Sequence, residues 1–475
     1  MSIRQWRHAR LTWADAANYH ESKSDRPTDW SAFVVFDERD GAIRGPEDAS
    51  AHLRSRAHLL TVLDRRIVEA PGRLDYPYWV RAQLPPEERI EYHEWAGGSF
   101  TACIDAIADL CADPLDVRRR AWCLHVFVAV SDPDDPGATV TVVVLQVSHA
   151  VMAGSALPAF LGALFGADGQ PLRVPGLPPA AARPQHVAAA VSGVARFARW
   201  YLRLGYLTLG AVLVRRAAST RSADAPTVPS PAARPAAVLA GAPGPDRVIR
   251  IVRPDLGSLV GRTYTVTAMG LAAVSLAMQR YFGERGRPVV DAHVAVPVAV
   301  GAAGAALGVN RLTAAIVPLC TEVADPRDRV AAVADALAGE RRVATSPEVL
   351  RRLAGAGTVP YPLYRRVADR RDRAASAGVF AAPAETAVTS VDCGADTGWT
   401  YHGGTFRFVA GIQSLRPGMG LVHSFSRAGE AFAVTVMSSP LLMPDLDRYV
   451  TLLEEGFAEV IEATGGRRSG TGSRG

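Results

Sequence analysis

At 475 residues the chain is too long for one compact core and long enough for two domains. Hydrophobic residues make up 48% and charged residues 21%, so the bulk should be folded, and a net charge of +5 is small for this length. The basic residues, almost all arginine with Lys23 the sole lysine, form no groove-sized block with interleaved aromatics, which argues against a nucleic-acid partner.

Met1 to Arg10 carries Arg4, Arg7 and Arg10 with no apolar run behind them, so no signal peptide is expected and the protein reads as cytoplasmic. Residues 1–165 mix helical and strand patterns and form the expected first lobe, with their most apolar strand, Ala138 to Val147, near its end. Between 166 and 247 the composition shifts to Ala, Pro, Arg and Ser. Clusters such as Pro178-Pro179-Ala180-Ala181 and Pro229-Ser230-Pro231 mark a linker that cannot hold regular structure throughout. A helical stretch from about His186 to Arg216 interrupts it. Within that stretch Leu204 to Val214, flanked by Arg203 and Arg215, falls short of the roughly 18 to 20 residues needed to span a bilayer. It suits either a helix packed on the domain interface or one lying on a membrane surface.

The second lobe, 248–464, opens with a strand from Val248 to Val252, then a helix from about Thr267 to Phe282 and a valine-rich strand from Asp291 to Val298. Its last element is an amphipathic helix, Asp445 to Ala463. The tail, 465–475, holds only Gly, Ser, Thr and Arg and is expected to be disordered. The five cysteines are odd in number and lack a C-x-x-C pair, which fits free thiols.

The sharpest local feature is Val140 to Gly154, VTVVVLQVSHAVMAG. A nearly continuous apolar run reads as a strand buried on both faces, ending abruptly at Ser148-His149 before an apolar helix of about Ser155 to Leu164. An imidazole at such a junction sits at the edge of a core. It can accept a hydroxyl or amine proton near neutral pH and return it to a leaving thiolate. A lone histidine there is more often structural, so the junction alone leaves both readings open. No G-x-S-x-G elbow, P-loop, zinc-spaced Cys/His set or dinucleotide fingerprint appears, and the Gly-rich run Gly301 to Gly308 reads as a loop. His93 and His125 stand in strand-like contexts and read as structural.

The segment Ser148-His149-Ala150-Val151-Met152-Ala153-Gly154 resembles the His-His-x-x-x-Asp-Gly motif of the wax ester synthase/diacylglycerol acyltransferase family, which shares a superfamily with chloramphenicol acetyltransferase and peptide-synthetase condensation domains. The second histidine and the glycine survive, while Ser148 and Ala153 replace the first histidine and the aspartate. Further pieces follow in family order. They are Arg10-Leu11-Thr12 with Asp15-Ala16, Trp30 to Asp37, Pro77-Tyr78-Trp79-Val80, Asp113-Pro114-Leu115-Asp116, Gly308-Val309-Asn310, Val317-Pro318-Leu319 and Ser390 to Gly394. Thr267-Ala268 replaces the family's Asn-Asp pair.

The resemblance implies an α/β fold of two chloramphenicol-acetyltransferase-like lobes, a pseudo-dimer with a central tunnel. It implies His149 as general base, with Ser148, Gly154, Ser155, Asn310, Thr313 and Ser390 as substrate-binding residues. Asn310 would either donate to a developing oxyanion or stabilise its turn. The co-substrate would be acyl-CoA or an acyl carrier protein, with no other cofactor and no metal, and the acceptor a hydroxyl or amine. Residues 196–216 would provide any peripheral contact with the inner face of the membrane. Loss of both aspartates, at Ala153 and Ala268, points to an altered site with a different way of holding the histidine loop. It also leaves open a catalytically silent module of the same fold that binds acyl chains or a carrier protein.

Overall fold

The computed structural model describes residues 9–23, 27–38, 43, 45–95, 98–135, 137–218, 239, 241–260, 263–376, 383–395, 398–416 and 418–465. The strands are, in chain order, β1 (Trp30–Asp37), β2 (Arg65–Val68), β3 (Tyr78–Arg81), β4 (Ile90–Glu94), β5 (Trp122–Ser131), β6 (Thr139–Val147), β7 (Val248–Val252), β8 (His293–Ala299), β9 (Leu312–Pro318), β10 (Thr386–Asp392), β11 (Thr400–Tyr401), β12 (Gly404–Ile412), β13 (Leu421–Ala428) and β14 (Ala431–Ser438). They build two six-stranded sheets, ordered β11-β12-β1-β6-β5-β4 and β7-β14-β13-β10-β8-β9, beside the small β2-β3 ribbon.

The two large sheets share one wiring. In the first, β4 runs parallel to β5, which pairs antiparallel with β6, and β6 antiparallel with β1. In the second, β10 runs parallel to β13, which pairs antiparallel with β14, and β14 antiparallel with β7. Each repeat then extends differently. β12 and β11 are added beyond β1, and β8 and β9 beyond β10. One crossing breaks the chain order: β12, which falls within the second lobe by sequence, pairs with β1 in the first sheet from Ser31↔Ile412 onward. A division into lobes 1–165 and 248–464 is therefore a proposal about chain order, and the sheets themselves interlock.

β6 is rich in β-branched residues and lies between β1 and β5, with all but its first residue buried, as a strand covered on both faces must be. One core lies on the helix-bearing face of the first sheet and includes Trp79, Trp122, Leu145, Val147, Phe160 and Leu164. A second occupies the other lobe, and a third joins the sheets, with Phe33, Val142 and Val144 meeting Ile249, Val422 and Met437. In the second lobe the helix Val266–Glu284 is capped by Thr265, whose hydroxyl accepts the Ala268 N–H. The helix Leu446–Thr464 buries Leu446, Tyr449, Leu453, Phe457 and Val460 at three- and four-residue spacing. It comes close enough to the first helix that a Cβ on Gly456 would lie 2.9 Å from the Ala273 carbonyl oxygen.

The helix expected from Ser155 to Leu164 starts as a 3₁₀ turn at Gly154–Ala156 and becomes α-helical over Leu157–Phe165. The run Gly301–Leu307, expected as a loop, forms 3₁₀ turns ending at Gly308. The helix of the connecting region spans His186–Ala218, but its side chains from 205 to 218 lie outside the described residues, as does the tail beyond 465. All five cysteines are free thiols. Among the described residues no helix is long and apolar enough to cross a membrane.

Candidate active site

The chain leaves β6 through a tight turn built on Ser148. Its N–H donates to the Ala121 carbonyl (2.9 Å), its own carbonyl accepts from Val151 (3.0 Å), and its hydroxyl oxygen accepts from the Ala150 N–H (3.3 Å). A short hydroxyl can fold back on its own backbone in this way. Ser148 thus spends its side chain shaping the turn, and His149 stands at the end of the strand. Trp30, across the sheet at the start of β1, donates its indole N–H to the Met152 carbonyl (2.7 Å), and its ring centroid lies 6.2 Å from that of His149.

A second fastening comes from the other lobe. The Asn310 Nδ2 donates to the His149 carbonyl oxygen (2.6 Å) and to Asp15 Oδ1 (3.2 Å), so both amide hydrogens are committed. Asp15 is fully buried at the start of the helix Trp13–Glu21. Its carboxylate also accepts the Val309 N–H (3.2 Å) and the Thr12 hydroxyl (2.9 Å). Burial pushes its pKa up to about 7, against the opposing pull of those donors. Three remote segments, 12–15, 308–310 and 148–152, are thereby tied at one point. Ala153, in the position of the motif's aspartate, is buried and apolar; the carboxylate serving this loop comes from Asp15 instead, by way of Asn310.

Gly308 makes the knot possible. It adopts φ 75° and ψ −129°, and a Cβ there would fall 1.8 Å from Asp15 Oδ2. Its carbonyl oxygen in turn lies where a Cβ on Gly176, at φ 84°, would come within 1.9 Å. Two glycines let the linker, the turn and the buried carboxylate meet backbone to backbone.

The His149 Nδ1 is buried and has no hydrogen-bond partner among the described residues. Burial first, then the charge of Arg416, hold the imidazole pKa down to about 4, while Asn310 works in the opposite direction. The ring is therefore neutral at physiological pH. For any reaction using it as base, protonation of the ring itself should lower kcat/KM only as the pH drops through about 4, while Asp15, at about 7, titrates separately above it. An NMR titration of the His149 ring in the folded protein with its midpoint near the ordinary imidazole value of about 6.5 would show that the ring is not desolvated.

Of the other residues singled out in the sequence, Gly154 and Ser155 form the 3₁₀ turn that follows the histidine loop, with Ser155 exposed. Thr313 lies three residues beyond Asn310 in β9, where its hydroxyl meets the Val298 carbonyl at 3.5 Å. Ser390 is exposed on β10, opposite Phe425 of β13. The structure brings Ser148, His149 and Asn310 into one bonded group and places Thr313 and Ser390 outside it. Sequence reasoning gave no role to Asp15. Its one local sign, an aspartate three residues after Thr12, reads as an ordinary helix N-terminus.

Residues 11–260 match the wax ester synthase/diacylglycerol acyltransferase catalytic domain, and residues 309–460 match the C-terminal domain of the same enzymes. No curated protein matches the sequence. Among solved structures, the wax ester synthase/diacylglycerol acyltransferase from Marinobacter aquaeolei VT8 is similar over 96% of this chain and 100% of its own, at 14% identity and a TM-score of 0.63. The trichothecene 15-O-acetyltransferase from Fusarium sporotrichioides is similar over 95% of this chain and 94% of its own, at 11% identity and 0.55. The first condensation domain of the calcium-dependent antibiotic synthetase covers 94% of this chain and 96% of its own, at 16% identity and 0.51. These likenesses establish the two-lobed α/β fold.

Proposed function

Because the chain belongs to the wax ester synthase/diacylglycerol acyltransferase family, we propose that it transfers an acyl group from an acyl thioester, carried by CoA or a carrier protein, to an alcohol. The observation that carries this reading is a neutral imidazole at the end of a buried strand, its backbone pinned across the lobes by Asn310. His149 takes the hydroxyl proton as the acceptor oxygen attacks the thioester carbonyl. The tetrahedral intermediate collapses with cleavage of the C–S bond, and the imidazolium returns the proton to the leaving thiolate. The products are an ester and a free thiol, and no bond to the enzyme forms. Chemistry written this way calls for neither a metal nor a redox cofactor at the site. Asn310 positions the histidine loop, and Ser148 shapes it. Gly154, Ser155, Thr313 and Ser390 line the approach of the substrates through the tunnel.

Ser148 and Ala153, standing at two motif positions, favour a second reading: a silent module of the same fold that holds acyl chains or a carrier protein. Purified protein given a panel of acyl-CoAs with long-chain alcohols, diacylglycerol and hydroxylated specialised metabolites separates the two by mass spectrometry. The expected result is an ester from at least one pair, with thiol released in step with it. Bound acyl-CoA with neither ester nor thiol would leave the silent module standing.

The acceptor or acyl chain could be delivered at a membrane surface. On the helix His186–Ala218, Phe197, Tyr201 and Leu204 are exposed at three- and four-residue spacing, with Leu202 beside them. That supports peripheral contact of residues 196–216 with the inner face of the membrane by a cytoplasmic protein.

A further inference from the structure

We propose that Glu91, His93 and His125 form a binding site for one borderline divalent cation, Zn²⁺ foremost, at the outer edge of the first sheet. The sheet itself assembles the ligands. In the parallel register of β4 and β5, Glu91 lies opposite His125, and His93 follows two residues on, so all three project from the same face. His93 Nε2 lies 3.4 Å from His125 Nδ1, and His125 Nδ1 lies 3.3 Å from a Glu91 carboxylate oxygen; the three ligand atoms fall within 4.8 Å of one another. Tetrahedral zinc with bonds of about 2.0 to 2.1 Å separates neighbouring ligand atoms by roughly 3.3 to 3.4 Å. The two measured edges match that spacing.

The surrounding hydrogen bonds prepare the ligands. The Gln146 amide donates to the Asp113 carbonyl (2.7 Å), which turns its oxygen toward His125 Nε2 at 3.4 Å. With a cation bound, the Nε2 proton would go to Gln146 and the Nδ1 lone pair to the metal. A histidine whose second nitrogen donates to a fixed carbonyl is the arrangement that orients metal ligands elsewhere. His93 is held by stacking on Phe127, with centroids 4.4 Å apart and a 12° interplanar angle. Arg120 bonds the other Glu91 oxygen, to which the Cys123 thiol also points at 3.8 Å. The guanidinium fixes the carboxylate rotamer, and its charge lowers the affinity for any cation relative to a neutral shell. Two imidazoles with one carboxylate favour zinc over calcium or magnesium, which prefer all-oxygen sites.

The test uses the tag-free full chain, stripped by a chelator and titrated with Zn²⁺ and, separately, Co²⁺. The expected result is one equivalent of zinc retained through desalting, the visible absorption of tetrahedral cobalt, and a melting temperature that rises with added zinc. His93→Ala and Glu91→Gln, both partly exposed positions, should fold without metal and bind it at least about tenfold more weakly. A wild-type chain that retains no zinc and gives no cobalt spectrum would overturn the proposal. So would undiminished retention by His93→Ala.

Discussion

Replacing His149 by alanine is expected to lower acyl transfer by roughly 10²- to 10⁴-fold, the usual contribution of a general base, while the protein stays folded. The structure separates the two effects in an unusual way. The contact that holds this residue, from Asn310 Nδ2, goes to the backbone carbonyl, which alanine keeps. The ring nitrogen Nδ1 has no partner to lose. What alanine removes is the packing of the ring beside Trp30 and the ring's contact with the Asn310 side chain, on the order of 1 kcal/mol. Turnover under saturating substrates and a melting curve on the same sample give the answer. A near wild-type rate would take the base away from His149. A chain that fails to fold would make the ring structural.

Gly308→Ala should produce the largest loss of stability and remove activity without touching a substrate. A residue with a Cβ at φ 75° and ψ −129° costs roughly 1 to 3 kcal/mol in backbone strain. The new methyl would also occupy the place of Asp15 Oδ2 and stand 2.6 Å from the Thr12 hydroxyl oxygen, so the carboxylate must move off its donors. Each buried group left unpaired adds about 1 to 3 kcal/mol. Asn310 would lose its anchor, and the His149 loop its clasp. Gly339→Ala is the control. It lies inside the helix Pro326–Ala344 with open space around the would-be Cβ, and should be neutral or stabilising by about 0.5 to 1 kcal/mol. If Gly308→Ala melts like the wild type, the knot is more compliant than its distances indicate.

β6 and the histidine at its end were legible because a continuous run of β-branched residues has few other uses than a doubly buried strand, and such a strand must stop where polar Ser148 and His149 begin. Strand β7 has the bounds read from the sequence, and the helices after β7 and β14 begin and end within about two residues of them, since capping Thr265 and Asp445 mark their starts. Long-range pairing was not legible. Gly404–Ile412 drew no reading of its own from the sequence, and nothing local says that it pairs with β1 as well as with its neighbour β11. Asp15 failed for the same reason, its chief partners being nearly 300 residues away. His93 and His125 read as strand residues, which they are; their meeting with Glu91 depends on a parallel register that hydrophobic pattern does not encode.

The pairing of β12 with β1 sets a timetable for the nascent chain. β1 is complete at residue 37, and the strand that covers its outer edge begins at residue 404. At about 5 to 20 residues per second, synthesis of the intervening chain takes roughly tens of seconds. Throughout that interval the first sheet can gather β4, β5 and β6 but carries an open, apolar edge of unpaired backbone groups, the kind that recruits strands from other polypeptides. Ribosomes translating this message close together would hold several such edges near one another. Its yield in a foreign host should therefore depend on what shields β1 before residue 412 emerges.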